Sequence, residues 1–282
     1  MGVRQPRYDP EHPSRLEAAW LAFGLVKSPA RLPLVAVVAS SLALAACGLG
    51  GSSKSASTTS TTQKLTGFAA QSPQAILAAT CGATLPVSRV TVDTTFSKPT
   101  SVGGISTMHW VMSDAADSGT LTYTLANKQA VVLELYLQAY TSYVKAPASW
   151  WATTSAKAQA AALANKWVSI SSTSPGAGII APFLPYSNLT TLLENCTRPE
   201  RTPTKGALTA VGKDQVIGVK VNGGFVLETF YVPTMSAPYA RKITVKGATG
   251  TQSSVLSNVN TAKVPAAPSG AVPFENPGAP KK

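Results

Sequence analysis

Acidic residues are scarce in this chain and histidine is nearly missing. Of 282 residues, 12 are Asp or Glu and two are His, against 24 Lys and Arg, for a net charge of +12. Past position 47 a single histidine remains, His109, so a His-based triad or a His-rich metal centre would have to be assembled around one ring. The acids of that stretch are scattered, and no paired-carboxylate motif stands out. No dense basic run and no aromatic–basic motif is present, which leaves nucleic acid binding without support. Charged residues make up only 13% of the chain and hydrophobic residues 44%, with Ser, Thr and Ala filling the difference. These shortages argue against an enzyme, and no cofactor or metal is expected.

The clearest positive signal lies near the start. Leu34 to Ala46, reading LVAVVASSLALAA, is apolar, preceded by Lys27 and Arg31, and too short for a comfortable transmembrane helix. It suits the hydrophobic region of an export signal. It ends in Leu44-Ala45-Ala46-Cys47, which resembles the bacterial lipobox, in which the cysteine sulfur is acylated before cleavage exposes its amine. Residues 1–46 are therefore expected to be a lipoprotein signal peptide, with Cys47 carrying a diacylglyceryl group and tying the protein to the outer side of a membrane. Val26 offers an alternative start, because a GTG codon reads as valine internally and as methionine at initiation. Residues 1–25 would then lie upstream of the true beginning.

Residues 47–66 continue as a Gly/Ser/Thr-rich tether with a typical reach of roughly 20–25 Å. From Pro265 to Lys282 the chain repeats Pro, Ala and Gly and is expected to be a disordered tail. A domain of residues 67–264 remains. Removing the five basic and three acidic residues that precede Cys47 leaves 19 and 9, so the mature chain is still +10. That charge favours anionic headgroups or wall polymers; alternatively, scattered lysines keep an apolar protein soluble. Three cysteines are present. With Cys47 acylated, Cys81 and Cys196 form an even pair in an oxidising compartment, either as a disulfide or as two buried thiols.

Within the domain, Ser72-Pro73 caps a short helix over 74–80. Alternating strands are expected at 89–96, 105–112, 119–125, 131–138 and 140–145, and again at 167–171. Between these last two, Ala148 to Ala164 reads as one Ala-rich helix opening on Trp150 and Trp151. Residues 182–196 read as a second helix. A further meander is expected at 206–211, 215–221, 224–232 and 241–245, with a hairpin signal at Asn222-Gly223-Gly224. Strands, then helices, then strands make the fold α+β, a curved antiparallel sheet wrapping helices on one face.

Several segments in this order resemble a known family. They are Lys98-Pro99 with Gly103-Gly104, Tyr143-Val144-Lys145-Ala146 leading to Trp150-Trp151, and Asn165-Lys166-Trp167-Val168. The hairpin through Phe225 and the run Ala237-Pro238-Tyr239-Ala240-Arg241-Lys242-Ile243 follow. They are similar to the actinobacterial envelope lipoproteins related to LppX and LprG, which share a half-barrel with the LolA carrier. The resemblance covers about residues 70–262. It implies a sheet wrapped around helices, with acyl chains held between them, and carriage of lipids or lipidated molecules across the envelope. The apolar residues expected to line such an interior are Met108, Trp110, Met112, Leu121, Tyr123, Leu133, Leu135, Trp150, Trp151, Phe183 and Phe225. Two readings stay open. One is a binder of a lipid or other hydrophobic ligand; the other is a structural or interaction lipoprotein whose interior is simply packed. The partners expected are the membrane, through the lipid anchor, and a lipid ligand; no protein partner is indicated.

Overall fold

The computed structural model describes residues 65–97, 104–187, 189–193, 196, 201–248 and 250–275. The signal segment, Leu44, Ala45, Ala46 and Cys47, the tether to Lys64, the Lys98-Pro99 to Gly103 turn and residues 276–282 lie outside them. Everything described belongs to one compact unit, Thr61–Lys282.

Two antiparallel meanders, with one short parallel strand at the edge, build a twelve-stranded sheet. The first runs β1 (Arg89–Phe96), β2 (Gly104–Ser113), β3 (Asp117–Thr124), β4 (Ala130–Leu137), β5 (Thr141–Lys145) and β6 (Trp167–Ser171). The second runs β7 (Thr204–Val211), β8 (Asp214–Asn222), β9 (Leu227–Pro233), β10 (Lys242–Gly247) and β11 (Gly250–Ser257). They join because β1 and β11 pair, Val92 opposite Leu256 and Thr94 opposite Ser254. The fold is α+β, as expected, with an open curved antiparallel sheet and a few helices.

Period-two alternation places the core. In β2, Met108, Trp110 and Met112 point inward while Thr107 and His109 point out. A bulge between Ile105 and Thr107 then adds one residue and reverses the phase, so that Ile105 is buried as well. In β4, Val131, Leu133, Leu135 and Leu137 face the same interior. The Asn222-Gly223-Gly224 turn forms as expected: Gly224 takes a φ of +84°, a conformation that suits glycine, and its N–H donates to Asn222 Oδ1. The turn also takes up Phe225 and Val226, so β9 begins at Leu227 rather than at 224.

The helical layer differs from expectation. Helix α1 is longer, Pro73–Thr84, and Ser72 Oγ accepts the Ala75 N–H as its cap. The single helix expected over 148–164 is broken into α2 (Ala148–Trp151), a 3₁₀ turn (Lys157–Gln159) and α3 (Ala160–Leu163). The Thr153 and Thr154 hydroxyls donate to the carbonyls of Trp150 and Trp151, taking acceptors from the continuing helix. The helix expected over 182–196 is likewise divided. Within it lie a 3₁₀ turn (Leu184–Ser187) and α5 (Leu189–Leu192), and a further short helix, α4 (Ala177–Ile180), precedes it. Pro182 and Pro185 supply no N–H to continue a helical ladder.

The tail is corrected too. Val272-Pro273 forms β12, parallel to β6, and Phe274 N–H donates to Ser169 O while its ring covers Gly176. Residues 265–275 are thus part of the domain. A disulfide joins Cys81 in α1 to Cys196, closing a sequence separation of 115.

Candidate functional site

The concave side of the sheet and the broken helical layer enclose an apolar interior, and most of the expected lining residues meet there. Met108, Trp110, Met112, Leu121, Leu133, Leu135, Trp150, Trp151 and Phe183 belong to one buried cluster, with Tyr123 packed at its margin. Trp150 stacks edge-on against Trp151, ring centroids 4.9 Å apart, and lies 6.3 Å from Phe183. Neighbouring residues on a helix point about 100° apart. Both indoles are buried because α2 is a single turn packed on two sides. Phe225 is the exception. It is 98% exposed at the tip of the β8–β9 hairpin, so it does not line the interior. The hairpin turn projects it past the ends of the strands, away from the sheet's inner face.

Two polar atoms in this interior are unusual. The indole Nε1 atoms of Trp110 and Trp151 are buried without an acceptor among the described residues. Each such donor costs about 1–3 kcal/mol when left unpaired. Other polar groups are satisfied locally: Thr94 Oγ1 and Ser254 Oγ lie 2.9 Å apart, and the Thr80 hydroxyl donates to Ile76 O.

A cleft of about 430 Å³ lies at one end of the sheet. Its apolar residues are Val90 and Met112 from β1 and β2, Leu85 and Val87 from the end of α1 and the loop after it, and Leu184 and Leu189 from the helical layer. Asp114 and Asp117 supply carboxylates. Burial pushes Asp117 up from its usual value to about 6, opposed by the Ser113 N–H that donates to its Oδ1 at 3.1 Å. The composition gave no signal for this carboxylate; only the fold of the β2–β3 turn places it in the cleft.

His109 sits on the outer face of the sheet, its Nδ1 2.6 Å from Asp93 Oδ1, both about half exposed. That pair lies on the side away from Trp110. Among the described residues no group of three or more His, Cys, Asp or Glu is placed to hold a metal ion. None of the described helices is long and apolar enough to cross a membrane, which says nothing of strands.

No family model and no curated protein matches the chain. Solved structures do. The Mycobacterium tuberculosis lipoprotein LppX aligns at 11% identity over 67% of this chain and 94% of its own, with a TM-score of 0.43. LprF from Mycobacterium bovis aligns at 14% identity over 70% and 97%, with a TM-score of 0.48. A LolA-superfamily protein from Nitrosomonas europaea aligns at 10% identity over 70% and 96%, with a TM-score of 0.22.

Proposed function

We propose that this chain is a non-enzymatic envelope lipoprotein, anchored by acylated Cys47 at the extracytoplasmic face of a membrane. Its domain takes up a lipid or other hydrophobic ligand between sheet and helices. The observation that carries this reading is the pair of indole N–H groups of Trp110 and Trp151, without an acceptor among the described residues, in a largely apolar interior. An ester or carboxyl oxygen on an acyl ligand would satisfy them, while its chains replace contacts between the sheet and the four-residue helices. The cleft at one end of the sheet falls in the size range of small-molecule sites, about 300–1,000 Å³, with a lining that is mostly polar.

The test uses residues 61–282, which contain the whole described core and the disulfide, expressed in an oxidising compartment. The purified domain is extracted for lipid mass spectrometry and then titrated with brominated fatty acid. The expected results are stoichiometric lipid and quenching of tryptophan emission. Trp110→Phe and Trp151→Phe each weaken uptake by roughly 5- to 10-fold, the worth of one hydrogen bond. A protein free of lipid and unquenched by the probe would refute ligand binding. It would favour the interaction lipoprotein, which the close packing of the same residues also supports. Acylation is read separately, from the mass of the mature N-terminal peptide and from loss of membrane association in Cys47→Ser.

A further inference from the structure

The most exposed large apolar side chain in the described structure, Phe225, stands on a hairpin at the end of the domain near which the described chain begins. The tip is built firmly. Asn222 pairs with Leu227, the Gly223 N–H donates to Val226 O at 2.7 Å, and the Arg201 guanidinium lies against Gly223. Phe225 therefore projects by design of the turn and not by fraying. Its neighbours are cationic: Lys246 pairs in register with Leu227, Lys220 is exposed on β8, and Arg201 covers the turn. The acid beside them among the described residues, Glu228, is 2% exposed and turned inward.

The entry point of the chain lies nearby. Lys205 Nζ donates to the carbonyls of Ala69 and Gln71, pinning the first described residues beside the start of β7. Lys205 pairs with Val219, three residues before the end of β8 and therefore close to the hairpin. The described chain therefore begins near this end of the domain. The other exposed apolar side chains at loop tips, Tyr140 and Met235, lie at the opposite strand ends, where Asp114, Asp117 and the Arg241–Asp214 ion pair accompany Arg89 and Lys213.

We propose that the β8–β9 hairpin docks on the anionic bilayer that carries the anchor, with Phe225 entering the headgroup–acyl boundary and Arg201, Lys220 and Lys246 meeting the headgroups. Tips of this composition gain from apolar burial and from attraction to anionic lipid together. The inference rests on Cys47 as the anchor. It orients the domain: the cleft, at the other strand ends, faces away from that membrane.

The experiment uses residues 61–282, which lack the anchor, in co-sedimentation with vesicles of phosphatidylglycerol and phosphatidylcholine. Binding is expected at low salt, weakening as salt rises, and absent on phosphatidylcholine alone. Phe225→Ser is expected to lose about tenfold in binding, with an unchanged unfolding midpoint because the side chain touches solvent. Phe225→Trp is expected to shift its emission to the blue only on the anionic vesicles. No binding at low salt, or equal binding by Phe225→Ser, overturns the proposal and leaves the tip to a protein partner. A mature protein found without acyl groups on Cys47 would remove the anchor reading instead, and the vesicle result would still report on the hairpin.

Discussion

Gly119→Ala is expected to destabilise the domain by about 3 kcal/mol, the upper end for overpacking in a closed interior. Gly119 pairs with Trp110 across β2 and β3, and the indole lies over the place where a side chain would start. A Cβ there would stand 2.7 Å from Trp110 Cε3 and 3.0 Å from Cδ2, with the His109 carbonyl oxygen nearer still. Ordinary contacts for such an atom begin near 3.4 Å. The ring is fully buried, and the carbonyl is fixed because β2 and β3 are each held on both sides by pairing strands. The strands must separate by a few tenths of an ångström or more in the middle of the sheet. Urea unfolding of residues 61–282 reads the effect. With a slope of about 2–3 kcal/mol per M, the midpoint falls by about 1–1.5 M. The same substitution in a Trp110→Ala background isolates the ring. There the cost of Gly119→Ala shrinks but stays above about 1 kcal/mol, since the carbonyl clash remains. A Gly119→Ala protein within about 0.5 kcal/mol of the parent would refute the reasoning. So would a cost that vanishes entirely once Trp110 is removed.

Replacing both Cys81 and Cys196 with Ala removes a cross-link of sequence separation 115 and is expected to cost up to about 5 kcal/mol on the chain-entropy account; a loss below about 1 kcal/mol in calorimetry would contradict it. Asp117 gives a pH signature. Its folded value of about 6 lies above the ordinary value of 3.8, so the folded state binds more protons between those limits. Stability associated with this group is therefore present at low pH and declines as pH rises through about 6. Asp117→Asn keeps an acceptor for the Ser113 N–H and is expected to raise stability at pH 7 by about 1 kcal/mol after allowing for solvent screening. The gain should disappear near pH 4, and thermal melts showing a pH-independent difference would count against the assignment.

The strands of the first meander and most of the second were legible because each buries one face, and period-two alternation writes that face into the sequence. Met108, Trp110 and Met112, or Leu133 and Leu135, identify themselves in this way. The cap at Ser72 and the hairpin at Asn222-Gly223-Gly224 were legible for a different reason: local backbone chemistry needs those residue types whatever surrounds them. Strand β11 was not legible. Its inward Ser254 is buried against Thr94 of β1, and a hydroxyl satisfied by a partner 160 residues away leaves no hydrophobic signal. Nor was the breaking of the 148–164 helix, where alanine propensity is overridden once Thr153 and Thr154 bond back to the Trp carbonyls. The Pro-rich composition of the tail described the chain in isolation. Pairing with β6 supplied partners that a solitary segment lacks.

Sequence alone determined the α+β class, most of the apolar residues that meet in the core and the pairing available to Cys81 and Cys196, and it raised the expectation of an anchor at Cys47. All follow from residue chemistry and short-range pattern. Tertiary structure decided that Phe225 points to solvent and not inward. It also left two indole donors unpaired, placed Asp117 in a cleft, and set the cationic hairpin beside the chain's point of entry. These are relations between residues far apart in the chain, and only the pairing of β1 with β11 and the packing of the helices onto the sheet bring them into being.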